Sequence, residues 1–243
     1  VNVVGTFNMY GGSISGNSAQ YGGGVCLDNT NAVTVFNMYG GEITGNTATS
    51  SGGGGVIVRA DSTFHMYGGS ITDNLNTASG DYGGGVYVLN GTFTVSGKVN
   101  ITGNRHKDYT ESNVYLYSDK TIQIVDVLDS TASIGVTTKN AVDLGKSVTV
   151  ATGGANSCTA GNFFADKGGE FGIKVEQGTE TVVKLYNGLH DHPICGDSTC
   201  TNIDHALPDG KSWVGVSNLS RITEGGYYYL TQGVTIDTTW KPV

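Results

Sequence analysis

Residues 7–17 read FNMYGGSISGN, and the same pattern returns at residues 36–46 (FNMYGGEITGN) and 64–74 (FHMYGGSITDN). A looser copy with one extra residue, FTVSGKVNITGN, occupies residues 93–104. From Phe to Phe the spacing is 29, 28 and 29 residues. A second block recurs in phase with the first: GGGV at 22–25, 53–56 and 83–86, replaced by Ser112-Asn113-Val114 in the fourth copy. Self-similarity at a fixed period of this size marks a solenoid or array, in which each repeat is one supersecondary unit.

Within each copy the apolar residues fall two apart. Phe7 and Met9, Val25 and Leu27, Val56 and Val58, Val86 and Val88, and Val114 and Leu116 all keep this period. It is the spacing of strands with one buried face. A third strand is expected around Ile14, Ile43, Ile71 and Ile101, with Gly and Asn supplying the turns between strands. A single rung of this kind buries too little apolar surface to order itself, so rungs must stack. Stacking in register puts Phe on Phe, Met on Met and Val on Val. It also places Asn17, Asn46, Asn74 and Asn104 in one column, where side-chain amides can bond from rung to rung. The fold class is therefore all-β, a parallel β-helix.

The repeat GGxIxGNxAxxGGGVxV, carried by residues 1 to about 120, resembles the right-handed parallel β-helix repeats of large modular bacterial cell-surface proteins. That resemblance implies a right-handed solenoid in an extracellular, adhesin-like or carbohydrate-handling setting. It implies no single activity, because such folds carry lyases, glycosidases and inert stalks alike. Host or dietary glycans and surface proteins are the partners it suggests, with the chain acting as a monomer.

Outside the strict repeat, Ile122-Gln-Ile124, Ile134-Gly-Val136 and Val148-Thr-Val150 keep the alternation, so residues 1–154 are read as rungs. Residues 155–187 are expected to form a β-meander that caps the open end of the stack, since a solenoid must hide its terminal edge. Residues 188–212 form a His/Cys-rich module or linker, and residues 213–243 look like the first strands of a further β-domain.

Composition narrows the function classes. The chain has 243 residues, 39 of them Gly, and a net charge of -8. That charge, with no run of Lys or Arg, argues against a nucleic-acid partner. No stretch approaches the length of a membrane span, and residues 1–20 lack the basic start and apolar core of a signal peptide. Val1 opens directly into strand-like sequence, so the chain is read as a fragment of a surface protein whose targeting and anchoring segments lie elsewhere.

Two groups of residues could carry chemistry. Residues 190–205, HDHPICGDSTCTNIDH, bring His190, His192, Cys195, Cys200 and His205 within sixteen positions. Two thiolates and two imidazoles make a tetrahedral zinc site, and a metal can fold a segment too short to own a core. Cys195, Cys200, His205 and one of His190 or His192 are the expected ligands. A Cys195–Cys200 disulfide is the competing expectation, which an oxidising compartment favours. The second group lies on the outward face of the Phe-Met strands: Asn8 and Tyr10, Asn37 and Tyr39, His65 and Tyr67. In register, the three tyrosines form an aromatic strip. It reads either as a platform for sugar rings or as a ladder that stiffens the sheet. A parallel outward row is expected at Ile57, Tyr87 and Tyr115.

Carboxylates for glycosidase or lyase chemistry are thin. Glu42, Asp73 and Asp81 fall at different places in their repeats, and Asp28 and Asp61 read as turn residues. Cys26 and Cys158 are too many rungs apart to bridge and read as small buried or half-buried thiols. The longer segments at 47–55, 75–82 and 105–112 follow the Asn column and should stack along one edge. The function that fits these residues is a non-catalytic stalk or adhesin. A carbohydrate-active enzyme or a plain spacer is the alternative.

Overall fold

The computed structural model describes residues 1–28, 33–80, 82–140, 142–143, 146–167 and 171–187, and the backbone of strands Val214–Val216 and Tyr228–Leu230. The chain divides into two compact units, Val1–Asn187 and Gly188–Val243. In the second unit, Val214–Val216 pairs in parallel with Tyr228–Leu230.

The first unit is a parallel β-solenoid of about 5 turns. Its first row of strands stacks Phe7 on Phe36, Phe64, Phe93 and Ile122, and Met9 on Met38, Met66, Val95 and Ile124. A second row stacks Ile14, Ile43, Ile71, Ile101, Ile134 and Phe163. The third stacks Val25, Val56, Val86, Val114, Val136 and Ala165. These rows meet in one core that is buried from Phe36 to Phe163, with Ala165 partly buried against it, and the Phe rings lie 4.8 to 5.1 Å apart. The spacing is the interstrand distance of a sheet, so identical side chains in register touch at van der Waals contact.

The turn between the second row and the edge is built by one backbone geometry. Gly16, Gly45 and Gly103 have φ of 67°, 63° and 69°, and in the third copy Asp73 takes the same place at 56°. Asp tolerates the left-handed region better than most side chains. Asp73 is thus a turn residue. After each turn the chain runs along the edge expected from the sequence, as a separate parallel sheet of Ser18–Tyr21, Thr47–Ser51, Leu75–Asn76 and Arg105–His106.

Parallel stacking continues past residue 154 into Phe163–Ala165, which pairs with Ser133–Thr138. Beyond it, Phe171–Gln177 and Glu180–Asn187 form an antiparallel hairpin that joins Lys146–Gly154, also antiparallel. No helix among the described residues is long and apolar enough to cross a membrane.

Candidate functional site

The Asn column is a chain of directed hydrogen bonds. Asn17 Nδ2 donates to Asn46 Oδ1 at 2.9 Å, Asn46 Nδ2 to Asn74 Oδ1 at 2.9 Å, and Asn74 Nδ2 to Asn104 Oδ1 at 2.9 Å. The backbone N–H of each donor residue bonds the same oxygen, at 3.0 to 3.1 Å. Asn104 then passes the pattern to Asn113 Oδ1 at 3.0 Å, only nine residues ahead. Asn113 takes the place that glycine holds in the earlier rungs, since Val114 pairs with Val86 and so sets Asn113 beside Gly85.

The ladder ends on a carboxylate that sequence reasoning missed. Asp166 Oδ2 accepts from the Asn113 backbone N–H at 2.8 Å and from Thr137 Oγ1 at 2.9 Å, and its Oδ1 accepts from Asn113 Nδ2 at 2.7 Å. A carboxylate only accepts, so it is a natural terminus for a column in which every amide donates the same way. Burial pushes the Asp166 carboxyl up to about 6 against the three bonds that favour its charged form, and Glu111 repels it further. Gly135 leaves the room for this pairing. A Cβ there would stand 2.2 Å from Asp166 Oδ1 and 2.3 Å from Asn113 Nδ2. The sequence signal was the replacement of the glycine block by Ser112-Asn113, but nothing local linked it to a residue 53 positions away.

The outward row is as expected in register. Tyr10 and Tyr39 stack with centroids 4.9 Å apart and planes 7° apart, and Tyr39 and Tyr67 at 5.0 Å and 13°. Asn37 Nδ2 donates to Asn8 Oδ1 at 2.8 Å, and His65 Nδ1 lies 2.7 Å from Thr94 Oγ1. Burial lowers the His65 pKa, favouring the neutral imidazole. A ring inserted between two tyrosine faces would need about 7 to 8 Å, two carbon contacts of about 3.5 to 4 Å each. The observed faces therefore cover one another. What they leave to solvent is ring edges, hydroxyls and the outer face of Tyr10, which is 75% exposed.

The second row differs from its expectation. Ile57, Tyr87 and Tyr115 are not exterior but form a second buried cluster, with Cys26, Tyr82, Leu89 and Tyr117 packed against it. The edge-sheet segments fold back over this face. Gly52 lies against Ile57, and Tyr82 meets Tyr87 at 5.5 Å between ring centroids. Residues that point away from the first core thus acquire a cover of their own.

His190, His192, Cys195, Cys200 and His205 lie outside the described residues, as does Asp81. Among the described residues no three His, Cys, Asp or Glu side chains gather to hold a metal. Cys26 and Cys158 are free thiols. Burial raises both pKa values, Cys158 to about 11, and the nearby Asp28 adds to the rise at Cys26. Neither is an activated nucleophile. Asp28 pairs with Arg59 at 2.9 Å across one rung, and Asp61 has a turn φ of 57°. No family model, curated protein or solved structure matches this chain.

Proposed function

We propose that the solenoid is a non-catalytic stalk module of an extracellular surface protein, whose work is to hold distance and resist extension. The observation that carries this reading is the continuity of three stacks through successive rungs: the buried Phe column, the outward Tyr row and the amide ladder. Each residue in them uses its polar or aromatic surface on its counterpart in the next rung. The residues are thereby spent on cohesion along the axis. Among the described residues, Glu42 pairs with Ser13 and Ser70 on neighbouring strands, so it meets no second carboxylate there. The surface location rests on the resemblance of the repeat to bacterial cell-surface proteins. A second reading, glycan capture by the outward row, draws on the open face of Tyr10 beside the Asn8 and Asn37 amides.

Pulling the full chain by its ends in a force spectrometer tests the stalk. Rungs should peel in steps of about 100 Å, the extended length of roughly 29 residues at 3.3 to 3.6 Å each. A smooth extension at low force, or turnover of a polysaccharide by the purified chain, would sink the reading. Binding of neutral sugars that is lost in Tyr10→Ala would favour the second.

A further inference from the structure

The solenoid has a step. From the second row to the third, the fourth rung travels from Ile101 to Val114, with the edge strand Arg105–His106 on the way. The next rung makes the same passage from Ile134 to Val136, cutting the corner through Gly135. The edge sheet therefore stops, and the segment from Thr110 to Ser112 lies beside the outer surface of the shortened rung. The inside corner is a cleft of about 200 Å³ with Tyr82, His106, Glu111, Thr138, Lys139 and Lys167 among its lining residues.

Several of these groups are held in place from behind. His106 is buried, and its Nε2 lies 2.7 Å from the Gly80 carbonyl oxygen. Thr138 Oγ1 donates to the Asn140 carbonyl at 2.9 Å. Lys139 Nζ stands 3.7 Å over the Tyr117 ring, a cation–π contact that orients the ammonium without neutralising it. Among the described residues, no carboxylate lies within ion-pair distance of Lys139 or Lys167. This corner gathers two ammoniums, Lys139 and Lys167, beside the exposed Glu111, with the buried Asp166 carboxyl behind Thr137 and Asp108 Oδ2 4.0 Å from His106 Nδ1. An ammonium that no described carboxylate pairs with offers a charge-assisted partner to an incoming anion. Hydroxyls, an imidazole, a phenol and Glu111 around it supply both donors and acceptors for a polyhydroxylated ring. The volume is below the roughly 300 to 1,000 Å³ of drug-sized pockets, so it suits a single ring.

We propose that this step cleft binds an acidic sugar residue, with its carboxylate between Lys139 and Lys167 and its hydroxyls on the His106 and Glu111 side. The site is distinct from the outward Tyr row and does not depend on the stalk reading. A rigid stalk and a saccharide-binding step can coexist on one solenoid.

Isothermal titration of the full chain with trigalacturonate tests it, using maltotriose as the neutral control and sodium sulfate as the bare anion. Trigalacturonate should bind and maltotriose should not. Lys139→Gln and Lys167→Gln should each raise Kd by about fivefold to tenfold, and together abolish binding, with circular dichroism unchanged. Lys98→Gln, on a remote exposed lysine, should leave Kd alone. No heat with trigalacturonate, equal binding of maltotriose, or an unaltered Kd in the double variant each overturns the proposal. Sulfate binding as tightly as trigalacturonate would also overturn it, reducing the cleft to a site for simple anions.

Discussion

Asn113 gives both of its N–H donors, the backbone at 2.8 Å and Nδ2 at 2.7 Å, to the two carboxylate oxygens of Asp166. This pair closes a column of amides that starts at Asn17 and crosses the solenoid from rung to rung. The column makes Asp166 a structural terminus rather than a catalytic acid: its carboxylate is buried and accepts three donors.

Removing that terminus should be costly. Asp166→Ala leaves both Asn113 donors and the Thr137 hydroxyl without their acceptor in the interior, where an unmet donor costs about 1 to 3 kcal/mol. A loss of about 3 kcal/mol or more is expected in urea denaturation at pH 7. A loss under about 1 kcal/mol would mean that the site collapses or admits water, and that the ladder needs no carboxylate.

Stability should also depend on pH through the same group. Burial holds the folded Asp166 pKa at about 6, above its ordinary 3.8. The folded state therefore binds the proton more tightly, so this contribution is full below pH 3.8 and is lost as pH rises through about 6. The expected loss is on the order of 2 to 3 kcal/mol. Asp129 and Glu176 work in the opposite sense: hydrogen bonds from Thr131 and Lys184 lower their pKa values, so their contributions disappear at acid pH. The Asp166 share is isolated by comparison with Asp166→Asn, which should lack the decline between pH 4 and pH 6. Identical pH profiles for the two proteins would contradict it.

Position along the ladder should matter more than residue type. Asn74 is buried, accepts from Asn46 and donates to Asn104 Oδ1 and to the carbonyls of Ile43 and Thr72. Asn74→Ala should cost about 3 to 5 kcal/mol, since several buried groups lose partners at once. Asn17→Ala, at the exposed start of the column, should cost about 1 kcal/mol or less. Equal losses at the two positions would show that the amides do not act through burial.

The glycine blocks are spacers of close approach. A Cβ on Gly54 would stand 2.4 Å from the Gly84 carbonyl oxygen and 2.5 Å from that of Leu75, both backbone atoms that cannot swing away. Gly54→Ala should therefore lower the melting temperature by well over 10 °C or prevent folding. Gly154→Ala meets nothing within 4 Å and should change it little. A neutral Gly54→Ala in a thermal melt would show that neighbouring rungs can part at that edge.

The amino-acid sequence by itself determined the rungs. A period of 28 to 29 residues with apolar positions two apart has one way to bury Phe, Met, Ile and Val together, which is to stack each on its own copy. The amide column and the tyrosine row follow from the same register, because equal positions in equal repeats must fall in line. What only the tertiary structure decided lies where the repeat breaks. Ile57, Tyr87 and Tyr115 alternate outward from the first core, yet the end of the edge segment folds back over them, through Gly52 on Ile57 and Tyr82 on Tyr87. Asp166 carries no local mark of its role, and it terminates the ladder because a corner cut at Gly135 brings it beneath Asn113. Repetition encodes contacts locally. A terminus or a cover is set by which unlike segments meet in space, and the alternation of a strand does not specify that.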